Sequence, residues 1–205
     1  MADYQVSTAN LIFKNLQQKP IAFFCAEYGL DDSLPLYAGG LGVLAGDFVM
    51  EAGAQGLPFV ALGLLYQHSF ATYSPQGRIN QLTVNPEDGG FALLRNDAGE
   101  SIQVALPARG RTIRAQVWVR VYDSAHVFLL DPNIEANAEA DRQISAYLYP
   151  PEPEVKLLQS FLLGMGGVQL LKQLGLQPSV YHLNEGHTAM AILGVAAQYL
   201  TEHPE

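Results

Sequence analysis

Short, continuous apolar runs occur in the first third of the chain, separated by turn-forming residues. Residues 20–26 (PIAFFCA) and 59–65 (FVALGLL) are such runs, a pattern typical of strands buried on both faces of a parallel sheet. Between them, a loop over residues 27–38 and a glycine cluster lead into a helical stretch over 41–54. This order of strand, glycine-rich turn, helix and strand predicts a βαβ unit. A further helix is predicted before Pro20.

Alternating apolar and polar positions replace the continuous runs from about residue 73 to residue 122. Residues 102–106 and 115–121 alternate in this way, and Asp-Gly and Arg-Gly turn signals separate the segments. We therefore predict a β-rich insertion of antiparallel hairpins at about 73–122. A strand over residues 127–130 follows and ends at an Asp-Pro turn.

Helical periodicity returns in the last third of the chain. Apolar residues recur every three or four positions over residues 154–174, which predicts a helix that stops at Gly175. A weaker helical pattern precedes it over 139–148, and a strand over 179–183 and a helix over 188–199 follow it. The elements together predict an α/β fold with a Rossmann-like parallel sheet.

The composition and net charge of the chain disfavour two classes of binding partner. The 205 residues are 49% hydrophobic and carry a formal net charge of −9, with only 11 Lys and Arg residues. That balance disfavours binding to nucleic acid, which needs clustered positive charge, and disfavours anionic membrane surfaces. No apolar run reaches the length of a membrane span, and the amino terminus lacks a secretory pattern, so we expect a cytoplasmic location. The single cysteine, Cys25, forms no internal disulfide and is expected to pack as a small hydrophobic residue.

A glycine cluster at residues 37–47 (YAGGLGVLAGD) is the first candidate for ligand binding. Gly39, Gly40, Gly42 and Gly46 allow close approach of a ligand to the backbone and positive φ angles, and the following helix start directs amides toward an anion. These properties favour phosphate. The alternative is that the glycines serve only the turn and close packing of the chain.

Polar residues follow two of the predicted parallel strands and form the second candidate. Glu27 comes after the first strand, and Glu185 and His187 lie in the tight turn after the last one. Ligand crevices form at the carboxyl ends of parallel strands, so we expect these turns to face each other. The alternative for Glu27 is a solvated loop acid or a helix cap. Glu185 and His187 make a poor ligand set for a metal, and no metal site is predicted.

Four motifs in this order resemble the α-glucan (glycogen, starch or maltodextrin) phosphorylase family, especially its shorter bacterial and archaeal branch. They lie at residues 26–30 (AEYGL), 34–47 (LPLYAGGLGVLAGD), 56–66 (GLPFVALGLLY) and 182–187 (HLNEGH). The resemblance implies a two-lobed GT-B glycosyltransferase fold. It also implies that residues 1–205 form a single, partial amino-terminal lobe that includes the β-rich insertion.

The resemblance further implies reversible phosphorolysis, in which inorganic phosphate releases glucose 1-phosphate from the end of an α-1,4-glucan or maltodextrin. It implies pyridoxal phosphate on a lysine of the carboxyl-terminal lobe, and that lobe and its lysine are absent from this chain. The catalytic set is therefore incomplete, and the isolated chain is expected to be inactive. Homo-oligomer formation, regulation and chain-length preference are left open.

Carried over position by position, the resemblance assigns six residues to substrate and phosphate binding: Glu27, Gly39, Gly40, Leu41, Glu185 and His187. The amides of Gly39 and Gly40 would contact the phosphates, and Leu41 would lie against the glucose. Glu27, Glu185 and His187 would line the sugar pocket.

Two other functions are compatible with the residues. One is the acceptor lobe of a glycogen or starch synthase-like glycosyltransferase, although Tyr37 stands where that class has a lysine. The other is a non-catalytic domain that binds glucan or a protein partner. The chain also departs from the phosphorylase pattern at Leu158 and Ser160, which flank Gln159 in the long helix, and at Gln67.

Overall fold

The structure, a computed structural model, describes residues 4–5, 19–70, 72–77 and 79–204. The helix predicted before Pro20 lies outside these residues. The described strands are β1 (Tyr4–Gln5), β2 (Ile21–Phe24), β3 (Phe59–Leu64), β4 (Thr72–Tyr73), β5 (Ile79–Asn80), β6 (Ala92–Arg95), β7 (Gln103–Ala108), β8 (Arg111–Tyr122), β9 (Ala125–Asp131) and β10 (Val180–Leu183). The described α-helices are α1 (Gly40–Ala54), α2 (Glu139–Arg142), α3 (Pro153–Phe161), α4 (Gly167–Gln173) and α5 (Met190–Glu202).

Four parallel strands form the centre of the fold, in the order β10, β2, β3, β9. Every residue of β3 is buried, as its continuous apolar run predicts, and every residue of β9 is buried as well. Helix α1 connects β2 to β3, which pair in parallel from Ile21 opposite Phe59. The predicted βαβ unit is therefore confirmed.

The β-rich segment extends this sheet. Strand β8 pairs antiparallel with β9 from Gln116 to Tyr122, and β6 and β7 pair antiparallel with β8. Strands β4 and β5 form a separate antiparallel pair. The alternating pattern thus predicted the antiparallel pairing of these strands correctly. Their position beside the parallel strands depends on contacts between residues distant in the sequence.

The segment predicted to be helical over 139–148 is helical only in α2. Its later carbonyls are occupied elsewhere, because Ser145 and Ala146 accept hydrogen bonds from the backbone amides of Gln67 and His68, at 3.0 and 3.1 Å. Those long-range bonds replace the helical ones. The prediction of a full helix here was wrong.

The long helix of the last third contains a turn of π-helix. Helix α3 continues through the π-turn Leu162–Gly166 into α4, and the chain leaves the helix at Gly175, where φ is +68°. A side chain at Gly164 would meet the backbone of Met190 and Ala191, so the glycine lets the start of α5 pack directly on the π-turn. Among the described residues, none of the helices has the length and apolar character of a membrane span.

Candidate functional site

The turns after β2 and β10 lie side by side at the carboxyl edge of the sheet. Strand β10 pairs in parallel with β2, and the pairing continues past both strands, since the Asn184 amide donates to the Phe24 carbonyl at 3.0 Å. The Asn184 side-chain amide also contacts the Cys25 sulfur at 3.2 Å. Cys25 is buried, as predicted, and burial raises the pKa of its thiol. The predicted adjacency of the two turns is confirmed.

Glu27 is the centre of a hydrogen-bond network that joins these turns. Its side chain is nearly inaccessible, with 2% of the residue exposed. Oε2 accepts hydrogen bonds from the amides of Ala38 and Gly39 at 2.6 and 3.3 Å, and Oε1 accepts one from the Tyr149 hydroxyl at 2.6 Å. The reading of Glu27 as a solvated loop acid is therefore excluded. Its carboxylate instead holds the chain immediately before α1, as a cap from a distant loop does.

The glycines before and within α1 divide into two groups. A Cβ at Gly39 or Gly40 would meet no atom within 4 Å, whereas one at Gly42 would clash with Tyr37 and one at Gly46 with the Gly29 carbonyl. The close-packing interpretation therefore applies to Gly42 and Gly46, whereas the backbone at Gly39 and Gly40 is open and their contact with a ligand stays a prediction.

Two expectations for the glycine loop need correction or refinement. None of its four glycines adopts positive φ; Gly39 is extended, with φ at −165°, and the others are helical. The Gly39 amide is engaged by Glu27, while the amides of Gly40 and Leu41 have no acceptor in the described part of the chain. These two amides begin a helix of 15 residues. The available donors therefore lie one residue further along the chain than predicted.

Tyr149 completes the site and was missed at the sequence level. Its hydroxyl contacts Glu27, and its ring lies against the His187 ring, with centroids 5.4 Å apart. Burial, followed by the hydrogen bond to Glu27, raises the pKa of its phenol. Tyr149, which precedes a proline, also has a φ of +57°, an unusual value for a tyrosine. The Pro150-Pro151 doublet was the only sequence signal near it.

The turn after β10 places its two predicted residues differently. His187 is half-buried, and its Nδ1 atom is enclosed without a hydrogen-bond partner among the described residues. Glu185 is exposed at a φ of +63°, and its charge contributes to the raised pKa of Tyr149. Leu41 is half-buried and packs against the core. The structure thus brings Glu27, Gly39 and His187 together through Tyr149, with Glu185 on the same turn as His187.

Several curated proteins are similar in sequence to this chain. No protein-family model matches the chain. Maltodextrin phosphorylase of Thermococcus litoralis is 37% identical over 189 residues, which cover 90% of this chain and 23% of that protein. The glycogen phosphorylase of Aquifex aeolicus is 32% identical over 88% of this chain and 27% of its own length. The glycogen phosphorylase of Mycobacterium tuberculosis is also 32% identical, over 82% of this chain and 20% of its own length. This chain is a homologue of the glycogen and maltodextrin phosphorylases.

The chain spans about a quarter of the length of these curated relatives, a share consistent with the predicted amino-terminal portion. Among solved structures, the catalytic domain of starch synthase IV from Arabidopsis thaliana, bound to ADP and acarbose, aligns with 90% of this chain and 31% of its own. The TM-score is 0.56 and the identity 15%, so the likeness concerns the fold alone. The predicted lobe of a GT-B glycosyltransferase fold is confirmed.

Proposed function

We propose that this chain is the amino-terminal portion of an α-1,4-glucan phosphorylase and forms one wall of its active site. The observation that carries the proposal is the Glu27 carboxylate, which joins the glycine loop to Tyr149 and, through its ring, to His187. The sequence similarity to maltodextrin and glycogen phosphorylases supplies the reaction.

In that reaction, an oxygen of inorganic phosphate forms a bond to the anomeric carbon of the terminal glucose. The glycosidic carbon–oxygen bond breaks, and the departing oxygen gains a proton and becomes the 4-hydroxyl of the shortened glucan. The product is glucose 1-phosphate. Two amides at the start of a long helix, those of Gly40 and Leu41, suit the phosphate in this scheme, because they offer donors and the positive end of a helix dipole.

Glu27 has a positioning role in this proposal. Its Oε2 atom fixes the backbone at Ala38 and Gly39, so the following amides keep one orientation while phosphate binds and leaves. His187 and Glu185 remain assigned to the sugar side, and the enclosed Nδ1 of His187 leaves Nε2 as the atom that meets a hydroxyl. Gly39 remains a proposed contact of phosphate through its open Cα rather than its amide, which Glu27 holds, and Leu41 remains a proposed contact of glucose.

The cofactor implied by the family, pyridoxal phosphate, fits the same loop. Open space at Gly39 and Gly40 admits a phosphate group against the backbone. When bound in the complete enzyme, the cofactor supplies a second phosphate beside the substrate phosphate. The lysine that carries it and the remaining catalytic groups are proposed to lie in a carboxyl-terminal lobe outside this chain, in a cytoplasmic enzyme.

A chimaeric enzyme tests the proposal. The region of Thermococcus litoralis maltodextrin phosphorylase that aligns with this chain is replaced by the chain itself, and release of glucose 1-phosphate from maltodextrin is measured with and without phosphate. We expect phosphate-dependent release by the chimaera and none by the isolated chain, which should also not retain pyridoxal phosphate. A folded chimaera that lacks phosphorolysis, or an isolated chain with robust turnover, contradicts the proposal.

A further inference from the structure

A cavity of about 190 Å³ lies at the same edge of the sheet as Glu27, beyond strands β3 and β9. Trp118 and Asp131 line one part of it, and Gln67, His68 and Asn133 line another. None of these residues belongs to the site described above. The cavity is instead formed by the chain that follows β3 and β9.

A buried carboxylate gives this cavity a fixed shape. Asp131 is 6% exposed, and its Oδ2 atom accepts hydrogen bonds from the Gln116 side chain at 2.8 Å and from the Trp118 indole at 3.2 Å. Its Oδ1 atom accepts the Asn133 amide at 2.9 Å. The carboxylate therefore holds both the indole ring and the turn that carries Asn133, which is the support that a preorganised binding site needs.

Three polar side chains of the cavity have hydrogen-bonding atoms to spare. Gln67 donates its amide to the Arg142 carbonyl at 2.6 Å, which leaves Oε1. Asn133 accepts the Arg142 guanidinium at 3.0 Å on Oδ1, which leaves its NH₂ group. The His68 ring stacks on Tyr147, with centroids 5.1 Å apart, and its nitrogens have no hydrogen bond within the described part of the chain. Side chains with a spare donor or acceptor thus line one small space.

The chemistry of the lining favours a neutral, polyhydroxylated ring. Trp118, Leu65 and Val84 offer an apolar surface, while the spare amide, carbonyl and imidazole atoms suit hydroxyl groups. No lysine or arginine is among the described residues that line the cavity, and the Asp131 carboxylate disfavours an anion. Phosphate is therefore a poor match.

We propose that this cavity binds one glucosyl unit of an α-glucan, at a subsite separate from the Glu27 site. The choice of glucan rests on the proposed function, whereas the choice of a neutral sugar ring rests on the lining itself. Strand β3 separates β2 from β9, so the ends of these two strands, which carry the two sites, are about 10 Å apart across the sheet. An oligosaccharide of a few glucose units spans that interval.

The only tryptophan of the sequence, Trp118, lines this cavity and reports on its occupancy. The 205-residue chain is titrated with maltopentaose while tryptophan emission is recorded. We expect a saturable change in emission and no change with inorganic phosphate alone. Two variants, His68→Ala and Asn133→Asp, should each weaken binding about tenfold. The second removes the donor NH₂ group but keeps an oxygen for Arg142.

His203→Ala, a histidine exposed at the end of α5, is the matched control and should leave the titration unchanged. Absence of a saturable emission change overturns the proposal, as does a change that neither cavity variant alters while thermal melts show both folded. The result is independent of the chimaera assay. Sugar binding at Trp118 without phosphorolysis rejects only the proposed function, and phosphorolysis without a Trp118 response rejects only the subsite.

Discussion

The Tyr149 hydroxyl donates a hydrogen bond of 2.6 Å to Glu27 Oε1 and thereby joins two residues 122 positions apart in the sequence. Because the other oxygen of the same carboxylate holds Ala38 and Gly39, the tyrosine and the glycine loop share one anchor. A shift of either side displaces the other. One carboxylate therefore holds both the loop before α1 and the segment that carries Tyr149.

Replacement of Tyr149 by phenylalanine should destabilise the chain by about 1–2 kcal/mol, because it leaves a buried carboxylate oxygen without its donor. The value is at the lower end for a hydrogen bond to a carboxylate because Tyr149 is 36% exposed. Urea unfolding of the 205-residue chain measures this loss of stability. Tyr147→Phe is the control, since that residue is more exposed and its hydroxyl makes no hydrogen bond to any described residue. Equal effects of the two changes would reject the anchor.

Two glycines of the same loop should respond in opposite ways. Gly40→Val should change the free energy of unfolding by less than about 1 kcal/mol, since its Cβ meets open space, but should severely reduce phosphorolysis in the chimaera. Gly46→Ala should cost about 2–3 kcal/mol, because its Cβ overlaps the Gly29 carbonyl. Chemical denaturation and the glucose 1-phosphate assay test the pair. Near-normal turnover with Gly40→Val would remove the phosphate assignment of this loop.

Gln159 should support the segment that carries Tyr149. Its side-chain amide donates to the Ile144 and Tyr147 carbonyls at 2.8 and 2.9 Å. Gln159→Leu removes both bonds and should destabilise the chain by about 2 kcal/mol, since buried acceptors lose their donor. Amide exchange should also quicken in residues 144–149. The neighbouring change Ser160→Ala serves for comparison, and an equally small effect of both substitutions would show that the two bonds contribute little.

His126 should make stability depend on pH. Burial lowers the pKa of its imidazole from 6.5 to about 4, so the folded chain keeps it neutral where the unfolded chain binds a proton. The resulting stability is present above pH 6.5 and decreases by about 3 kcal/mol as pH falls toward 4. His126→Asn should flatten this part of the curve in urea titrations between pH 4 and 7. Parallel curves for both proteins would exclude the histidine as the cause.

Much of the fold could be predicted because its signals are local. The continuous apolar runs of β2 and β3 and the glycines before α1 determine the βαβ unit, and the carboxyl-edge rule then places Glu27 near His187. Tyr149 could not be found in this way. Its contact depends on the path of residues 143–149, which hydrogen bonds from Gln67 and His68 hold out of a helix.

The roles of individual glycines were also beyond the sequence. Gly40 and Gly46 look alike in a glycine-rich motif, but only the folded chain places the Gly29 carbonyl against one of them and open space beside the other. The cavity at Trp118 was missed for a similar reason. His68 and Asp131 are far apart in the sequence, and the Asp131-Pro132 pair signalled only the end of a strand.

The π-turn between α3 and α4 has a consequence for how this helix tolerates changes of length. A π-turn contains one residue more than an α-turn, so loss of a single residue there converts it to regular helix while both flanking segments keep their faces toward their neighbours. A deletion at any other point of the helix rotates everything beyond it by about 100°. Residues 162–166 are therefore the place in this helix where one residue can be removed without turning Gln159 or Val168 away from the core.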